Sequence, residues 1–243
     1  TKIGIDIKRY FSWKLSSMPT TLIEELKPQN SLDYGMNRAR IAWYSIDRIF
    51  QQSSSSLMPN HIKNDAEMRS NHYSRAVNSR NLFPNIDNAY GESTLIPILN
   101  VAYYPEEKGP YNFSLDLNPN SGKMLNAENN WGGIMRRMET TDFEQANIEY
   151  IEFWVMDPFI YDDGDDRKGE LVLNLGEISE DVLKDGRKSF EHGLPTTSDK
   201  TDVDVTPWGY VPRKQSLTQA FANTETSRTF QDIGFDGLNN EEE

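Results

Sequence analysis

The chain predicts a mainly β fold: a jelly-roll-like antiparallel β-sandwich with short connecting helices and an irregular C-terminal arm. Three observations carry that expectation. Period-two alternation in Tyr111 to Leu117, and again in Leu171 to Leu175, sets an apolar face against a polar one. The run Ile148 to Met156 is largely apolar on both faces, the pattern of a central strand covered twice. Helix signals are few, and Gly, Pro, Asn and Asp turns separate the apolar runs, so one sheet stacked on another is the architecture that covers every face.

In chain order, the first strand expected is Ala39 to Ile46, rich in Ile, Trp and Tyr. Gln51 to Pro59, with serine at every position from Ser53 to Ser56, reads as a flexible loop. A helix is expected from about Asn60 through Val77, with Ile62, Ala66, Tyr73 and Val77 loosely on one side, although His61, Asn64 and Ser70 interrupt it. Leu99 to Tyr104 is the next strand, and Pro97, Pro105 and Pro110 confine ladder pairing to the residues between them. After the three strands named above, a short helix opens at Ser179: Glu180 and Asp181 suit its positive end, Lys184 its other end and Gly186 a left-handed stop. Ser216 to Ala222 is a third helical candidate. Thr196 to Val205 is a polar break, so residues 1–195 are expected to form the sandwich core with inserted loops, and residues 196–243 an extended arm. No repeat appears at the periods of solenoid proteins.

A length of 243 residues accommodates one large or two small cores. The net charge of −13, from 38 acidic against 25 basic residues, repels phosphate backbones and anionic head groups and argues against nucleic acid as a partner. Mean hydropathy is −0.71, and no run of about 18 apolar residues exists to make a membrane-spanning helix. No regular series of the alternating segments that build membrane barrels is evident either. Cysteine is absent, which removes disulfides, thiolate metal sites and cysteine nucleophiles together. Thr1 is not a start methionine and no signal peptide opens the chain, so the sequence reads as a piece of something longer.

No catalytic residue is nominated. His61, His72 and His192 lack the i, i+4 spacing of a helical metal site, and no nucleophile elbow, phosphate loop or dinucleotide fingerprint occurs. Calcium is the one cofactor the residues suggest. In Asp232 to Glu243, Asp232, Asp236, Asn240 and Glu243 fall at the first, fifth, ninth and twelfth positions of a calcium loop, with Gly237 at the sharp turn. Gly234 supplies no ligand at the third position, and an unstructured acidic end is the plainer alternative. Asp157, Asp162, Asp163, Asp165 and Asp166 form a second acidic cluster, for which a solvated hairpin tip is the alternative. Trp43 and Trp154, inside apolar strands, read as core. Trp131-Gly132-Gly133 and Trp208-Gly209 read as interaction points or turn anchors, because glycine lets another backbone come close. Arg136 and Arg137 are expected to pair with Glu139 or Asp142.

Asn130 to Phe159, NWGGIMRRMETTDFEQANIEYIEFWVMDPF, together with NRARIAWYSID (Asn37 to Asp47), NHYSRAV (Asn71 to Val77), VAYYPEEKGPYNF (Val101 to Phe113), GELVLNLGEISEDVL (Gly169 to Leu183) and FQDIGFDGLNNEEE (Phe230 to Glu243), resembles the SprA (Sov) family. These are very large outer-membrane translocon proteins of the type 9 secretion and gliding-motility apparatus of Bacteroidota. The blocks span most of the chain in one order, and none is a catalytic motif. The resemblance implies a non-catalytic domain attached to the parent barrel, with other type 9 secretion components and exported proteins as partners. Long insertions in outer-membrane barrels are usually extracellular, which favours that side. The rival expectation is a carbohydrate-binding β-sandwich on a bacterial surface, using Trp131 or Trp208 as a platform and acidic loops for calcium.

Overall fold

The structure is a computed structural model that describes residues 6–18, 33–52, 54–85, 93–112, 114–140, 142–161, 169–182, 196–206, 209–213 and 223–231. Among these residues helices are few and short, and the strands pair two by two in small sheets, a mainly β organisation. Strand β1 (Lys14–Leu15) pairs with β6 (Ile134–Met135), β2 (Ala39–Tyr44) with β5 (Asn100–Lys108), β3 (Val77–Asn78) with β4 (Leu95–Ile96), and β7 (Val203–Thr206) with β8 (Gly209–Pro212). The last two pairs are antiparallel, with Val77 opposite Ile96 and Val203 opposite Pro212. β2 and β5 also run in opposite directions: Gly109 donates to the Arg38 carbonyl at one end, and Asn100 Nδ2 donates to the Tyr44 carbonyl at the other.

The expected strands at 39–46 and 99–104 are therefore present, and the second is longer than expected. It continues through Pro105 to Lys108. In a two-stranded sheet every strand is an edge, so a residue without an N–H fits wherever that group would face away from the partner. The expected helix from Asn60 to Val77 is two short ones, α1 (Asn60–Lys63) and α2 (Ala66–Ser70), because Asp65 breaks the first and caps the second by accepting from Met68 N at 2.9 Å. Val77 belongs to β3. The 54–59 stretch is a turn region without helix or strand, anchored by Met58 at 3% exposure. The polar break at 196–205 contains β7, whose Val203 is buried.

Among the described residues three expected strands are absent. In 111–117 the alternation is real, yet the burial is inverted: Asn112 and Ser114 are buried while Leu115 is 92% exposed. The side chains of the polar residues explain this. Asn112 Oδ1 accepts from Ser114 N at 2.9 Å and Ser114 Oγ accepts from Asp116 N at 3.2 Å, local turns that compete with a ladder. Tyr111 has a positive φ of 60°, which ends any extended run, and only an isolated bridge joins Leu117 to Met124. Residues 148–156 and 171–175 form no strand and are mostly exposed. Residues 179–182 are not helical, although Ser179 Oγ does accept from Asp181 N. The remainder of that helix and the one expected at 216–222 lie outside the described residues.

The chain divides into two compact units, one of Thr1–Lys14, Ala42–Ala102 and Met135–Leu173, the other of Leu15–Ile41, Tyr103–Ile134 and Asn174–Glu243. In the first, Met58, Met135 and Ser79 are buried. Its residues 157–161 are tied to the segment after α2: Tyr73 Oη donates to the Pro158 carbonyl at 2.8 Å, and Tyr161 Oη accepts from His72 N at 3.1 Å. Among the described residues the second unit holds most of the buried side chains, and many of them are polar: Ser16, Ser17, Arg38, Asn112, Ser114 and Gln231 beside Met18, Ala39, Met124, Trp131 and Val203.

Candidate functional site

The Trp131-Gly132-Gly133 segment, expected as an interaction point, is the centre of the second unit's packing. Trp131 N donates to the Asn37 carbonyl at 3.0 Å and Ala39 N to the Trp131 carbonyl at 2.8 Å, which clamps the segment alongside Arg38. The Arg38 guanidinium lies 4.4 Å from the centre of the Trp131 ring, so a cation covers one aromatic face. Its Nη1 donates to the Ser16 carbonyl at 2.7 Å and its Nη2 to the Val182 carbonyl at 3.3 Å. At 2% exposure Arg38 is the largest fully buried side chain described, and hydrogen bonds to carbonyls are what make such burial of a cation tolerable. Its own carbonyl accepts from Gly109 N at 3.0 Å and Asn112 Nδ2 at 2.6 Å.

The two glycines serve close approach. A Cβ on Gly132 would stand 3.0 Å from the Tyr103 ring and 3.2 Å from Ile41 Cβ, and one on Gly133 would stand 2.3 Å from Ser16 Oγ. Neither φ lies in the left-handed region, so space and not backbone conformation is the requirement. Ser16 N donates to the Gly133 carbonyl at 3.0 Å and completes the clamp. Tyr103 Oη donates to the Asn130 carbonyl at 2.6 Å, while Asn130 Nδ2 donates to the Pro105 carbonyl at 2.7 Å. Burial pushes the Tyr103 hydroxyl above its ordinary value, since desolvation penalises the phenolate. With Trp131 at 8% exposure and Arg38 over it, the ring presents no open face of the kind a sugar stacks on.

The second notable surface is apolar. Tyr150 is 80% exposed, Trp154 64%, Val155 61% and Leu171 69%. The expectation that Trp154 is core is thus corrected: its ring meets the edge of Phe83 at 6.2 Å and is otherwise largely in solvent. Trp43, in β2, is half-buried. Residues 149–156 and 169–178 make no backbone hydrogen bond, so apolar side chains and unpaired main chain coincide. That combination is the edge that strand pairing completes.

No family model matches this chain, and no curated protein matches it in sequence.

Of the other residues singled out, Trp208, His192, Asp162, Asp163, Asp165, Asp166 and the calcium-loop set Asp232, Asp236, Asn240 and Glu243 lie outside the described residues. Asp157 is exposed, and its Oδ1 accepts from Phe159 N at 2.9 Å. Among the described residues no group of three His, Asp or Glu side chains is arranged to hold a metal. His61 is exposed, and His72 Nδ1 accepts from Arg75 Nε at 3.3 Å. The pairing expected of Arg136 and Arg137 with Glu139 or Asp142 does not occur. Arg136 Nη1 instead donates to the Asp6 carbonyl at 2.9 Å, and its guanidinium lies over the Trp13 ring, 5.8 Å from the ring centre.

Arg38, Ser16, Tyr103, Asn112 and Asn130 were not singled out from sequence. Two adjacent glycines after a tryptophan do announce that something packs closely there. Which residues come close depends on distant chain segments: Ala39 pairs with Trp131, Ser16 with Gly133 and Arg38 with Val182.

Proposed function

We propose that this chain is a non-catalytic domain of an outer-membrane translocon of the SprA/Sov type, on the extracellular side, supporting the export of proteins to the cell surface and gliding motility. The observation that carries this reading is the ordered set of sequence blocks that resembles that family. Three of those blocks supply the clamp: Arg38 comes from the first, Tyr103 and Asn112 from another, Asn130, Trp131, Gly132 and Gly133 from a third. Residues that resemble a family and also pack on one another are what a shared structural module requires.

The exposed 148–156 and 171–175 segments fit a part that works inside a larger assembly. Their apolar side chains and unpaired main chain suit cover by strands of the parent barrel or of other secretion components. A jelly-roll-type sandwich is the arrangement such pairing would complete, with both segments as full strands. The domain then acts through shape and contact, and exported proteins pass beside it without chemical change.

The test uses the full-length parent. Gly133→Val should reduce protein export and surface motility together, with the parent still inserted in the outer membrane, and soluble glycans should not restore either. If a parent lacking residues 1–243 secretes at the normal rate and loses only adhesion to polysaccharide, the translocon reading fails and carbohydrate binding replaces it.

A further inference from the structure

In the first unit, a cavity of about 490 Å³ is lined by Ser12, Arg136, Arg137 and Glu139. Ser12 closes the short 3-10 turn Tyr10–Ser12, and the two arginines directly follow β6. The volume is in the range of small-molecule sites, roughly 300–1,000 Å³. Neither arginine pairs with a carboxylate, although Glu139 shares the same walls.

One of the two is positioned in advance. Arg136 is held by the Asp6 carbonyl and the Trp13 ring, and Trp13 is itself fixed by its Nε1 donating to the Ile7 carbonyl at 2.8 Å. Arg136 Nε is buried and meets no acceptor, an uncompensated donor on a charged group. Arg137 is exposed and makes no hydrogen bond or ion pair, and the Ser12 hydroxyl makes no hydrogen bond. Arg136 Nε is shielded from the cavity and its Nη1 is taken by Asp6, so the unused donors that line the open cavity are Arg136 Nη2, the Arg137 fork and the Ser12 hydroxyl.

We infer that Ser12, Arg136 and Arg137 bind a phosphate-type oxyanion, carried either by a small phosphorylated molecule or by a lipid head group. A carboxylate has two oxygens, which a single arginine fork satisfies. A phosphate monoester presents three strong acceptor oxygens and close to two negative charges, so it can accept from both guanidinium groups and the hydroxyl at once. Glu139 opposes the anion and so tunes affinity downward. This site stands apart from the export reading: either can hold without the other.

The test is calorimetric titration of the 243-residue chain with inorganic phosphate and with glycerol 3-phosphate, against acetate at equal ionic strength. Sedimentation with vesicles of phosphatidic acid in phosphatidylcholine accompanies it. Phosphate compounds should bind and acetate should not. Arg137→Ala, an exposed change whose fold is checked by circular dichroism, should weaken binding by about tenfold or more, and Arg137→Lys by less, because it keeps the charge and loses the fork. Glu139→Gln should tighten binding. Capture by phosphatidic acid vesicles, lost in Arg137→Ala, assigns the head-group source, whereas tight binding of glycerol 3-phosphate without capture assigns the soluble one. Equal responses to phosphate and acetate, parent-like binding by Arg137→Ala, or no binding to any of these probes overturns the site.

Discussion

Around Arg38 the protein buries serine, asparagine and arginine, whereas from Tyr150 to Met156 it leaves tyrosine, tryptophan, valine and methionine in solvent. The contrast is not one of hydrophobicity, which would predict the reverse. It is one of backbone satisfaction. Most polar contacts near Arg38 answer a main-chain group: the carbonyls of Ser16, Val182, Asn130 and Pro105 accept from side chains, and those of Asn37 and Trp131 accept from N–H groups. Residues 149–156 have no such answers, and apolar side chains cannot be buried along a main chain that still needs water. A polar region whose main-chain groups are largely hydrogen-bonded thus makes a better core than an apolar one without such bonds, even though Ser16 Oγ and Trp131 Nε1 are buried there without a hydrogen bond.

The sharpest way to break the comparison is to remove Arg38. Arg38→Ala leaves two carbonyls unmet, each worth about 1–3 kcal/mol, and uncovers the Trp131 ring, so urea unfolding should register a loss of about 3 kcal/mol or more. A loss below about 1 kcal/mol would mean that the buried arginine is incidental to the clamp. Next in size is Gly133→Ala, whose added methyl meets Ser16 Oγ; crowding of this kind costs about 1–3 kcal/mol, and thermal unfolding should show it.

The opposite side of the comparison predicts small numbers. Truncating a buried tryptophan costs about 3–5 kcal/mol, but Trp154→Ala should cost under about 1 kcal/mol in the isolated chain, because the ring is 64% exposed. A loss of several kcal/mol would show the segment to be packed. The smallest effect concerns alkali. Partial burial raises the Tyr103 hydroxyl above the ordinary tyrosine value, so the neutral form is favoured in the folded state. Its contribution is fully present below the unfolded value and is lost as pH rises through the folded one. Tyr103→Phe, which cannot ionise, should therefore flatten the fall in melting temperature above about pH 10; an unchanged alkaline profile would remove Tyr103 as its source.

Composition and local pattern were enough to determine several things. Few helices, strands at Ala39–Tyr44 and from Asn100 as far as Tyr104, turns rich in Asn and Pro, and a glycine pair where chains come close all follow from residue type and near neighbours, whereas the continuation through Pro105 to Lys108 does not. What alternation could not determine was which face is inside. In 111–117 the period was legible and its meaning was reversed, because Asn112 found the Arg38 carbonyl and Ser114 found its own neighbours. A period of two records that side chains alternate; it carries no information about the distant main-chain groups that will accept or donate. Arg38 shows the same limit, since its burial depends on Ser16, Trp131 and Val182, placed beside it only by the fold. Tertiary structure decided these points because hydrogen-bond partners distant in sequence, and not the hydrophobicity of the residue itself, set the cost of leaving water.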